Sequence, residues 1–565
     1  MGFAAVAPDL KDPTVAVQSA PRTPYVPPKK YSEEQLEIIH CKAPIVVGQA
    51  FAGTGKSTTG IGYAAHHPHE RILVICFNKA NAEEGRYKYP SVSRNVDVLT
   101  THALARQMLT PEQSARVPDR WSSVTLRSEL PYVGGRGDMR TAAITASLLT
   151  EFFMTTHSKV DPHIHGKQAR RMYNPTDSTL EQCAIYAQRL WFAMCTNKVL
   201  PGMKSEVNTI SIPHDAYLKM FVMTSGNLGY DTVIFDEAQD ANPIMLRLLE
   251  NQYTTGTKVI MLGDRHQAIY EFRGAVNALE NLPSEAKVLP LTQSWRFGPK
   301  TAAVANFILS ELKGETLEIQ GMGQDRPYEP GAPLAYLSRT NADLLWRAAS
   351  ANGEGVHWVG GIDGYRISEL NDVWALRCGR HDQIASHFIK KHFRSWADFE
   401  AAAKNDQETK TLFKIVEEYG DRLPSLVENF RKNKVDDPSK ASLVLTTAHR
   451  SKGLEWDHVK IADDFRSVFK TAESWMSGKD VPYPVQEINL MYVLSTRPRH
   501  SLTPNYEMDE WFDNIDSYRR RRKRSFSSAE SEHASEGSTD SVPQSKAARA
   551  FANVKPFGMP GAKGG

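Results

Sequence analysis

The chain has 565 residues, of which 41% are hydrophobic and 24% charged, and a net charge of +3, a composition typical of a globular protein with about three or four domains. Its five scattered cysteines include no C-x-x-C pair, which excludes a disulfide framework and a structural zinc site. No run approaches the ~20 apolar residues of a membrane span, and no secretory signal is visible. We therefore expect an intracellular protein without a membrane partner, in the cytoplasm or nucleoid, or in the nucleus of a eukaryote.

Residues 1–29 are rich in proline and alanine and show no apolar periodicity, so we predict a disordered leader. A capping box follows, with Ser32 as N-cap and Gln35 three residues later, and it predicts a short amphipathic helix before the first strand. Gln35 has two interpretations from the residues alone. Its amide caps this helix, or it pairs with the donor and acceptor edges of an adenine base.

The stretch IVVGQAFAGTGKSTT at residues 45–59 runs from an apolar strand into a glycine loop and then a helix. Its glycines allow a tight turn that aims backbone N–H groups at phosphates, the lysine reaches the β- and γ-phosphates, and the serine hydroxyl suits Mg²⁺. The pattern G-x-x-x-x-G-K-[S/T] has alanine at its first glycine, which is acceptable at a negative φ. A chance glycine turn is the alternative. The predicted ATP-binding residues are Ala50, Phe51, Ala52, Gly53, Thr54, Gly55, Lys56, Ser57 and Thr58, with Ser57 on the metal.

Further strands at 71–77 and 96–100 alternate with helical stretches, as a parallel α/β sheet requires. The strand signal then stops, and residues 105–225 are mostly helical in pattern. An unbroken apolar strand returns at 232–235 and ends in an acidic pair. A nucleotide-binding sheet needs this acidic end beside its phosphate loop, so the helical segment is predicted to be an insertion into the first domain.

The acidic pair is Asp236 and Glu237. Asp236 is placed to hold Mg²⁺, directly or through water, and Glu237 to orient and deprotonate an attacking water, although a solvated turn is the alternative for such a pair alone. After the next strand, Gln267 is a polar group that could sense a γ-phosphate. The aromatic residues Tyr270 and Phe272 suit base stacking, worth ~1–3 kcal/mol per base, although a core role for one of them is as common.

The order of these segments resembles that of superfamily 1 helicases of the UvrD/Rep type over about residues 31–502. The wording AFAGTGK and HDAYLK is most similar to the F-box DNA helicase branch, but we expect no F-box because the leader is too short. The resemblance continues through LTQSWRF, LSRTN, TAHRSKGLEW and EINLMYVLSTR, which end at residues 297, 341, 456 and 497.

The resemblance implies an α/β fold with two RecA-like P-loop motor domains, whose parallel sheets are flanked by helices and which each carry a mainly helical insertion. We expect the following regions: a disordered leader at 1–29, motor domain 1A at 30–105 and 226–290, helical insertion 1B at 106–225, motor domain 2A at 291–345 and 440–512, short insertion 2B at 346–439, and a disordered tail at 513–565. The basic run at 519–524 in that tail fits a solvated segment, a DNA tether or a nuclear-import signal.

The resemblance also implies roles at the nucleotide site. Gln35 matches the family's adenine-reading glutamine, Trp295 stands where tyrosine usually stacks on adenine, and Glu455 matches the residue that holds the ribose. Arg296 and Arg497 match two arginines that reach the γ-phosphate from the second motor domain. The predicted catalytic residues are therefore Lys56, Asp236, Glu237, Gln267, Arg296 and Arg497.

A second set of matched residues falls in segments that line the single-strand track of the family. These predicted DNA-binding residues are Phe77, Thr100, His102, Tyr270, Phe272, Asn341, Thr447 and His449. Two positions depart from the family pattern. Phe272 replaces the commoner tryptophan, and Pro498 follows Arg497 where alanine is usual, so we expect the helix to end one residue after that arginine.

The function that the resemblance implies is an ATP- and Mg²⁺-dependent DNA helicase, which moves 3′ to 5′ on single-stranded DNA and unwinds duplex during replication, recombination or repair. Its expected partners are single strands and junctions with duplex, with recombinases or single-strand-binding proteins as candidate protein partners. Two alternatives stay open. These are an RNA helicase, and a translocase that strips recombinase filaments from single strands without unwinding. No nuclease cluster is visible, so no DNA cleavage is predicted.

Overall fold

The computed structural model of the chain describes residues 30–196, 198–270, 278–279, 282–351, 353–465, 467–476 and 484–513. The predicted leader, nearly all of the predicted tail and the side chain of Phe272 lie outside these residues. Within them, no helix has both the length and the apolar character that a bilayer crossing requires.

A six-stranded parallel sheet with the order β3-β2-β4-β5-β1-β6 is the centre of the first domain. Its strands are β1 (Ile45–Ala50), β2 (Ile72–Cys76), β3 (Val96–Thr100), β4 (Thr232–Asp236), β5 (Lys258–Gly263) and β6 (Lys287–Leu291). Every residue of β1, β2 and β4 is buried, as continuous apolar strands in a sheet covered on both faces should be. The carboxyl ends of β1, β4 and β5 lie along one edge, which brings the glycine loop and the acidic pair together.

Helices cover both faces of this sheet. One face packs against α1 (Glu33–Ile39), α2 (Lys56–His66) and α3 (Lys79–Lys88). Between β3 and β4 the chain is helical, with α4 (Thr101–Arg106), α5 (Pro111–Ala115), α6 (Ser123–Glu129), α7 (Met139–Phe153), α8 (Pro162–His165), α9 (Lys167–Tyr173), α10 (Asp177–Thr196) and α11 (His214–Thr224). All of these helices except α5 and α8 share one apolar core with the other face and with α12 (Pro243–Tyr253), so the inserted segment is part of the first domain's packing.

The second domain contains a five-stranded parallel sheet with the order β10-β11-β9-β12-β13, preceded by the short pair β7 (Gln293–Ser294) and β8 (Gln320–Gly321). The strands are β9 (Leu334–Ser338), β10 (Val356–Trp358), β11 (Leu443–Thr447), β12 (Trp456–Ile461) and β13 (Pro498–Thr503). The helices are α13 (Pro299–Lys313), α14 (Asn341–Ala349), α15 (Ile367–Arg377), α16 (His387–His392), α17 (Trp396–Ala403), α18 (Gln407–Tyr419), α19 (Leu423–Lys432), α20 (Ala448–Ser451), α21 (Val468–Met476), α22 (Val485–Ser495) and α23 (Tyr506–Asp513).

The mixed α/β class with parallel sheets flanked by helices confirms the predicted fold class. Two details differ from the sequence predictions. Strand β10 falls inside the segment expected to be insertion 2B, but it pairs with β11 in the second sheet, with Val356 and Trp358 buried. Helix α22 ends at Ser495, ahead of Arg497, and Pro498 opens β13, a strand position that tolerates the missing N–H.

Candidate active site

A cavity of about 910 Å³ lies between the two domains, which is a volume typical of a small-molecule site. The first domain lines it with the glycine loop, the acidic strand end and Gln267. The second domain contributes Trp295 and Arg296 from the start of its chain, with the later residues Gly453, Leu454, Glu455 and Arg497. The structure therefore brings together the predicted nucleotide residues of both domains around one space.

The glycine loop has the conformation that its residues suggest. Gly53 and Gly55 adopt left-handed φ values of 75° and 83°, and a Cβ on Gly53 would lie 2.5 Å from the Ser294 hydroxyl. Ala50 does not have a positive φ, unlike three other non-glycine residues in the described part of the chain. Alanine therefore causes no backbone strain at the position of the pattern's first glycine. The loop leads directly into α2, which begins at Lys56 and points its N-terminus at the cavity.

Four side chains at the carboxyl edge of the sheet form two pairs, in which Asp236 is buried and Lys56 and Glu237 are partly buried. Lys56 Nζ lies 3.2 Å from Glu237 Oε2, and the Ser57 hydroxyl donates to Asp236 Oδ2 at 3.2 Å. Burial and the adjacent charge of Glu237 raise the pKa of Asp236 to about 6. Burial alone would also raise the pKa of Glu237, but Lys56 and Lys452 hold it at about 2. Glu237 is therefore ionised at neutral pH, facing the lysine of the loop.

The backbone at Glu237 is strained. This residue has φ 58° and ψ 44°, a left-handed conformation that non-glycine residues seldom adopt outside functional sites. The conformation turns its carboxylate toward Lys56, and Gln239 donates to the same oxygen, Glu237 Oε2, at 2.5 Å. The acidic strand end is thus held in one orientation by the sheet, the lysine and this amide.

The donor set at the loop fits Mg²⁺. Ser57 and Asp236 supply oxygen atoms, which this cation prefers, and the raised pKa of Asp236 marks a pair of neighbouring carboxylates that a divalent cation would stabilise. Across the described ranges, no group of three or more His, Cys, Asp or Glu side chains could hold a metal. A protein site of one hydroxyl and one carboxylate suits Mg²⁺, which takes its remaining ligands from water and substrate phosphates.

The structure shows the capping interpretation of Gln35, while its pairing with adenine stays a prediction. Its Oε1 accepts from Ser32 N at 3.0 Å and its own N donates to Ser32 Oγ at 3.2 Å, which completes the capping box. Its Nε2 faces the loop, where a Cβ on Gly55 would lie 2.7 Å away. Trp295 is 56% exposed, and its backbone N–H donates to Gly53 O at 3.0 Å. An amide and an open indole face therefore flank one end of the cavity.

Arg296 crosses the second domain's side of the cavity. Its Nε donates to Glu455 Oε2 at 2.6 Å, and its Nη1 donates to Thr496 O at 3.0 Å. The predicted ribose-binding carboxylate and the first predicted arginine are thus paired with each other. Thr496 is the residue before Arg497. The short segment after α22 therefore contains one predicted arginine, Arg497, and is hydrogen-bonded to the other, Arg296.

Arg497 is buried and already reaches the first domain. Its exposed fraction is 1%, its Nε donates to Val493 O at 2.7 Å, and its Nη1 donates to Leu454 O at 3.1 Å. Its Nη2 donates to Gln267 Oε1 at 3.4 Å. Burial and the neighbouring Arg296 lower the pKa of Arg497 to about 9, so the guanidinium stays charged at neutral pH. We expected this arginine to meet the first domain at the phosphate, and here its partner is Gln267.

Two further residues at the domain boundary were absent from the sequence prediction. Lys452 Nζ donates to Asp240 Oδ2 at 2.5 Å and to Gln267 O at 2.6 Å. Burial raises the pKa of Asp240 to about 6 even though Lys452 opposes this shift. Lys452 stands inside the segment TAHRSKGLEW, and Asp240 follows the predicted acidic pair in the segment DEAQD at residues 236–240. Their positions were visible, but their pairing depends on the distance between two domains, which no local pattern contains.

Three of the predicted DNA-binding residues form a row of rings across the domain boundary. Phe77 and Tyr270 of the first domain stack with ring centroids 5.2 Å apart. Tyr270 lies 6.2 Å from the ring of His449 in the second domain and donates its hydroxyl to His449 O at 3.1 Å. We call Phe77, Tyr270 and His449 the ring row.

The other predicted DNA-binding residues have identifiable local roles. Thr100 caps α4, Thr447 is the N-cap residue of α20, and Asn341 is the first residue of α14. His102 Nε2 lies 3.0 Å from Asp215 Oδ1 in the HDAYLK segment at the start of α11. These residues stand at the ends of strands or the starts of helices, and their DNA contacts stay predictions.

The fold and the cavity define a protein of the P-loop nucleotide-binding class, with two parallel α/β domains that both line the cavity. Residues 31–286 match the model of the UvrD/REP helicase N-terminal domain, which confirms the predicted resemblance over this region.

Three relatives illustrate the similarity. F-box DNA helicase protein 1 of Schizosaccharomyces pombe is 31% identical over 535 residues, which cover 86% of this chain and 58% of the relative. F-box DNA helicase 1 of Gallus gallus is 30% identical over 515 residues, with coverages of 85% and 49%. A probable DNA helicase II homolog of Mycoplasma genitalium is 23% identical over 312 residues, covering 50% of this chain and 43% of the relative. The chain therefore spans about half the length of the curated relatives that it matches.

Proposed function

We propose that the protein is an ATP-dependent DNA helicase that moves 3′ to 5′ on single-stranded DNA and unwinds duplex DNA. The observation that carries this proposal is the joint position of two features at one domain boundary. The cavity is lined from both domains, and the ring row crosses the same boundary. A change in the cavity therefore has a direct mechanical route to groups that suit base stacking.

At the nucleotide, we assign the charged groups of the first domain to binding and water activation. Lys56 binds the β- and γ-phosphates, while Ser57 and Asp236 would hold Mg²⁺, which supplies charge neutralisation of the phosphates when bound. Glu237, ionised and held by Gln239, accepts the proton of the attacking water. Its ion pair with Lys56 has to open as that lysine turns to the phosphate, which frees the carboxylate for water.

The second domain supplies the cations that complete the site. The guanidinium groups of Arg296 and Arg497 can donate parallel hydrogen bonds to phosphate oxygens. Arg497 bonds to Gln267, so a γ-phosphate that engages this glutamine also changes the contact made by the arginine. We therefore assign Gln267 to sensing the γ-phosphate, and the two arginines to stabilising the charge that develops during transfer.

Movement follows from the division of the ring row between the domains. Phe77 and Tyr270 belong to the first domain and His449 to the second, so closure and reopening of the cleft alter the spacing of the groups that grip the bases. One cycle of hydrolysis would then advance the grip along the strand. Single strands and junctions with duplex are the proposed nucleic-acid partners, recombinases or single-strand-binding proteins the proposed protein partners, and replication, recombination or repair the setting.

A tailed-duplex assay tests the proposal. We expect strand separation with ATP and Mg²⁺ on a duplex with a 3′ single-stranded tail and little on the same duplex with a 5′ tail. The Lys56→Ala protein is the matched control for nucleotide dependence. Unwinding only from the 5′ tail would overturn the polarity, and stronger ATPase stimulation by RNA than by DNA of equal length would favour an RNA helicase.

The size of the second insertion favours keeping one alternative function. The segment between β10 and β11 holds five short helices, α15 to α19, which leave little surface for gripping duplex DNA. A translocase without unwinding activity would hydrolyse ATP on single strands and displace a recombinase filament, yet would leave both tailed duplexes intact. The same substrates, with and without a bound filament, separate the two functions.

A further inference from the structure

The hydroxyl of Tyr492 lies between the phosphate loop and the strand-end turn that carries Gln267. It accepts from Ala52 N of the loop at 3.1 Å and donates to Asp264 Oδ2 at 2.9 Å. Tyr492 belongs to α22 of the second domain, whereas the other residues belong to the first. Tyr492 and Asp264 are fully buried, and Ala52 is 1% exposed, so these bonds form away from water.

The same carboxylate oxygen continues the chain of hydrogen bonds. Asp264 Oδ2 also accepts from Gln267 Nε2 at 2.7 Å, and Gln267 Oε1 accepts from Arg497 Nη2 at 3.4 Å. Because Tyr492 and Arg497 are joined through the end of α22, the bonds run from the phosphate loop through the turn and back to the second domain. Asn489 of α22 adds a further link by donating to Ala268 O at 2.7 Å.

A phenol suits this position for chemical reasons. A hydroxyl can accept from the backbone N–H and donate to the carboxylate at the same time, whereas a phenyl ring can do neither. Burial and the charge of Asp264 raise the pKa of Tyr492 well above its ordinary value, so the phenol keeps the proton that it donates. Loss of the hydroxyl would leave Ala52 N–H without this acceptor and would remove one donor from a buried carboxylate.

We propose that Tyr492 is a positioning residue for ATP hydrolysis. It fixes the position of the phosphate loop relative to Gln267 and Arg497. The inference rests on the proposed ATPase function. The hydroxyl joins the loop that holds the phosphates to the two side chains that respond to the γ-phosphate, and it does so across the domain boundary. Tyr492 thereby acts through Asp264 and Gln267, without touching the reacting atoms.

The test compares two tyrosines that each lose one buried hydroxyl. Tyr365 is also buried in the second domain and donates to Leu445 O at 3.3 Å, away from the cavity. We expect Tyr492→Phe to lower single-turnover ATP hydrolysis on saturating single-stranded DNA by at least about tenfold, while KM for ATP changes less than about threefold. Tyr365→Phe should stay within about threefold of wild type in both. Thermal midpoints of the two variants should fall by similar amounts, which removes folding as the cause.

A double-mutant cycle then distinguishes positioning from general support of the fold. If Tyr492 acts through Gln267, Tyr492→Phe should cost less than about threefold when introduced into the Gln267→Ala protein. Additive losses would overturn the inference, as would a single-turnover rate for Tyr492→Phe within about threefold of wild type. A wild-type protein without DNA-stimulated ATPase would instead refute the proposed function, so the two failures are distinguishable.

Discussion

The two domains contribute to the cavity in different ways. The first domain uses its backbone and short connections: a glycine loop at the end of β1, the start of α2, and an acidic pair at the end of β4. The second domain uses long side chains, of which Arg497 extends to Gln267 and Lys452 to Asp240. The first domain's half of the site thus depends on local chain geometry. The second domain's half depends on long side chains that cross the domain boundary.

The two halves of the site therefore differ in whether their contacts need the other domain. The pairs Lys56–Glu237 and Ser57–Asp236 form within the first domain and need no partner domain. The contact of Arg497 with Gln267 exists only while the two domains are close. We therefore expect substitutions in the first domain to act on nucleotide binding or water activation, and substitutions in the second to act on turnover that depends on closure.

The largest effect should come from the first domain's acidic pair and lysine. Glu237→Gln should bind ATP and DNA but lose at least about 10³-fold in hydrolysis, because an amide cannot accept the proton of water. Lys56→Ala should lose nucleotide binding as well as turnover. Nucleotide binding by fluorescence titration and single-turnover ATPase separate the two steps. Glu250→Gln, which removes a carboxylate from the surface pair with Arg247, is the control, and wild-type turnover by Glu237→Gln would refute its role as the base.

The next effect should come from the second domain. Arg497→Ala should lower turnover on the order of 10³-fold, and ATP affinity far less, because the guanidinium stabilises charge that develops during transfer. Arg499→Ala is the matched control, since Arg499 is two residues away and pairs with Asp457 at the surface at 2.9 Å. Single-turnover ATPase on saturating single-stranded DNA measures both variants. A rate for Arg497→Ala within about threefold of wild type would mean that this arginine does not reach the phosphate.

The contrast between local geometry and reach also explains what the sequence could predict. The parallel α/β class, the helical insertion and the glycine loop follow from patterns within a few residues of each other, and the structure has them. The predicted strand at 96–100 coincides with β3, and the capping box at Ser32 and Gln35 forms with both of its hydrogen bonds. Such features depend on apolar periodicity, helix-capping residues and the backbone freedom of glycine, all of which can be read from a single sequence.

Contacts between distant segments were not predictable in the same way. Tyr492 stands in a segment that was recognised, yet its hydroxyl partners Ala52 and Asp264 are on the other domain. The short strand β10 was assigned to the insertion because three residues beside glycines give no periodic signal. Pro498 predicts a helix end after Arg497 because proline cannot continue a helix, whereas α22 ends at Ser495, where the chain turns toward β13.

A substitution in the ring row tests whether a first-domain residue contributes strongly to binding of single-stranded DNA. Tyr270 contacts both Phe77 and His449, so Tyr270→Ala should weaken single-stranded DNA binding by about 5- to 150-fold, equivalent to one lost base stack of ~1–3 kcal/mol. Nucleotide affinity without DNA should hardly change. Anisotropy with a labelled oligonucleotide gives the affinity, and Tyr506→Ala, at a tyrosine that is 74% exposed on α23, is the control. Equal affinities for the two variants would remove Tyr270 from the track.

The smallest effect concerns a further link between the domains, which contains a histidine. His266, beside Gln267, lies with its Nε2 2.8 Å from Glu315 Oε2 of the second domain, and Arg265 pairs with the same oxygen. Burial lowers the pKa of His266 from 6.5 to about 4. Burial alone would raise the pKa of Glu315, but hydrogen bonds from His266, the backbone and Arg265 bring it below its ordinary value. The folded protein thus keeps the histidine neutral and the glutamate ionised.

The sign of the pH effect follows from these two shifts. As the pH falls below about 6.5, the unfolded chain takes up the His266 proton before the folded one does, so the free energy of unfolding decreases until about pH 4. At pH 5.5 the loss should be about 1 kcal/mol, and protonation of Glu315 adds to it at lower pH. Urea unfolding at pH 7.5 and 5.5 should show that His266→Gln, which cannot titrate, loses about 1 kcal/mol less than wild type. His381→Gln, at an exposed histidine on the second domain, should behave like wild type. An equal loss in wild type and His266→Gln would mean that another group causes the acid sensitivity. The contact between His266 and Glu315 would then not contribute to the pH dependence of stability.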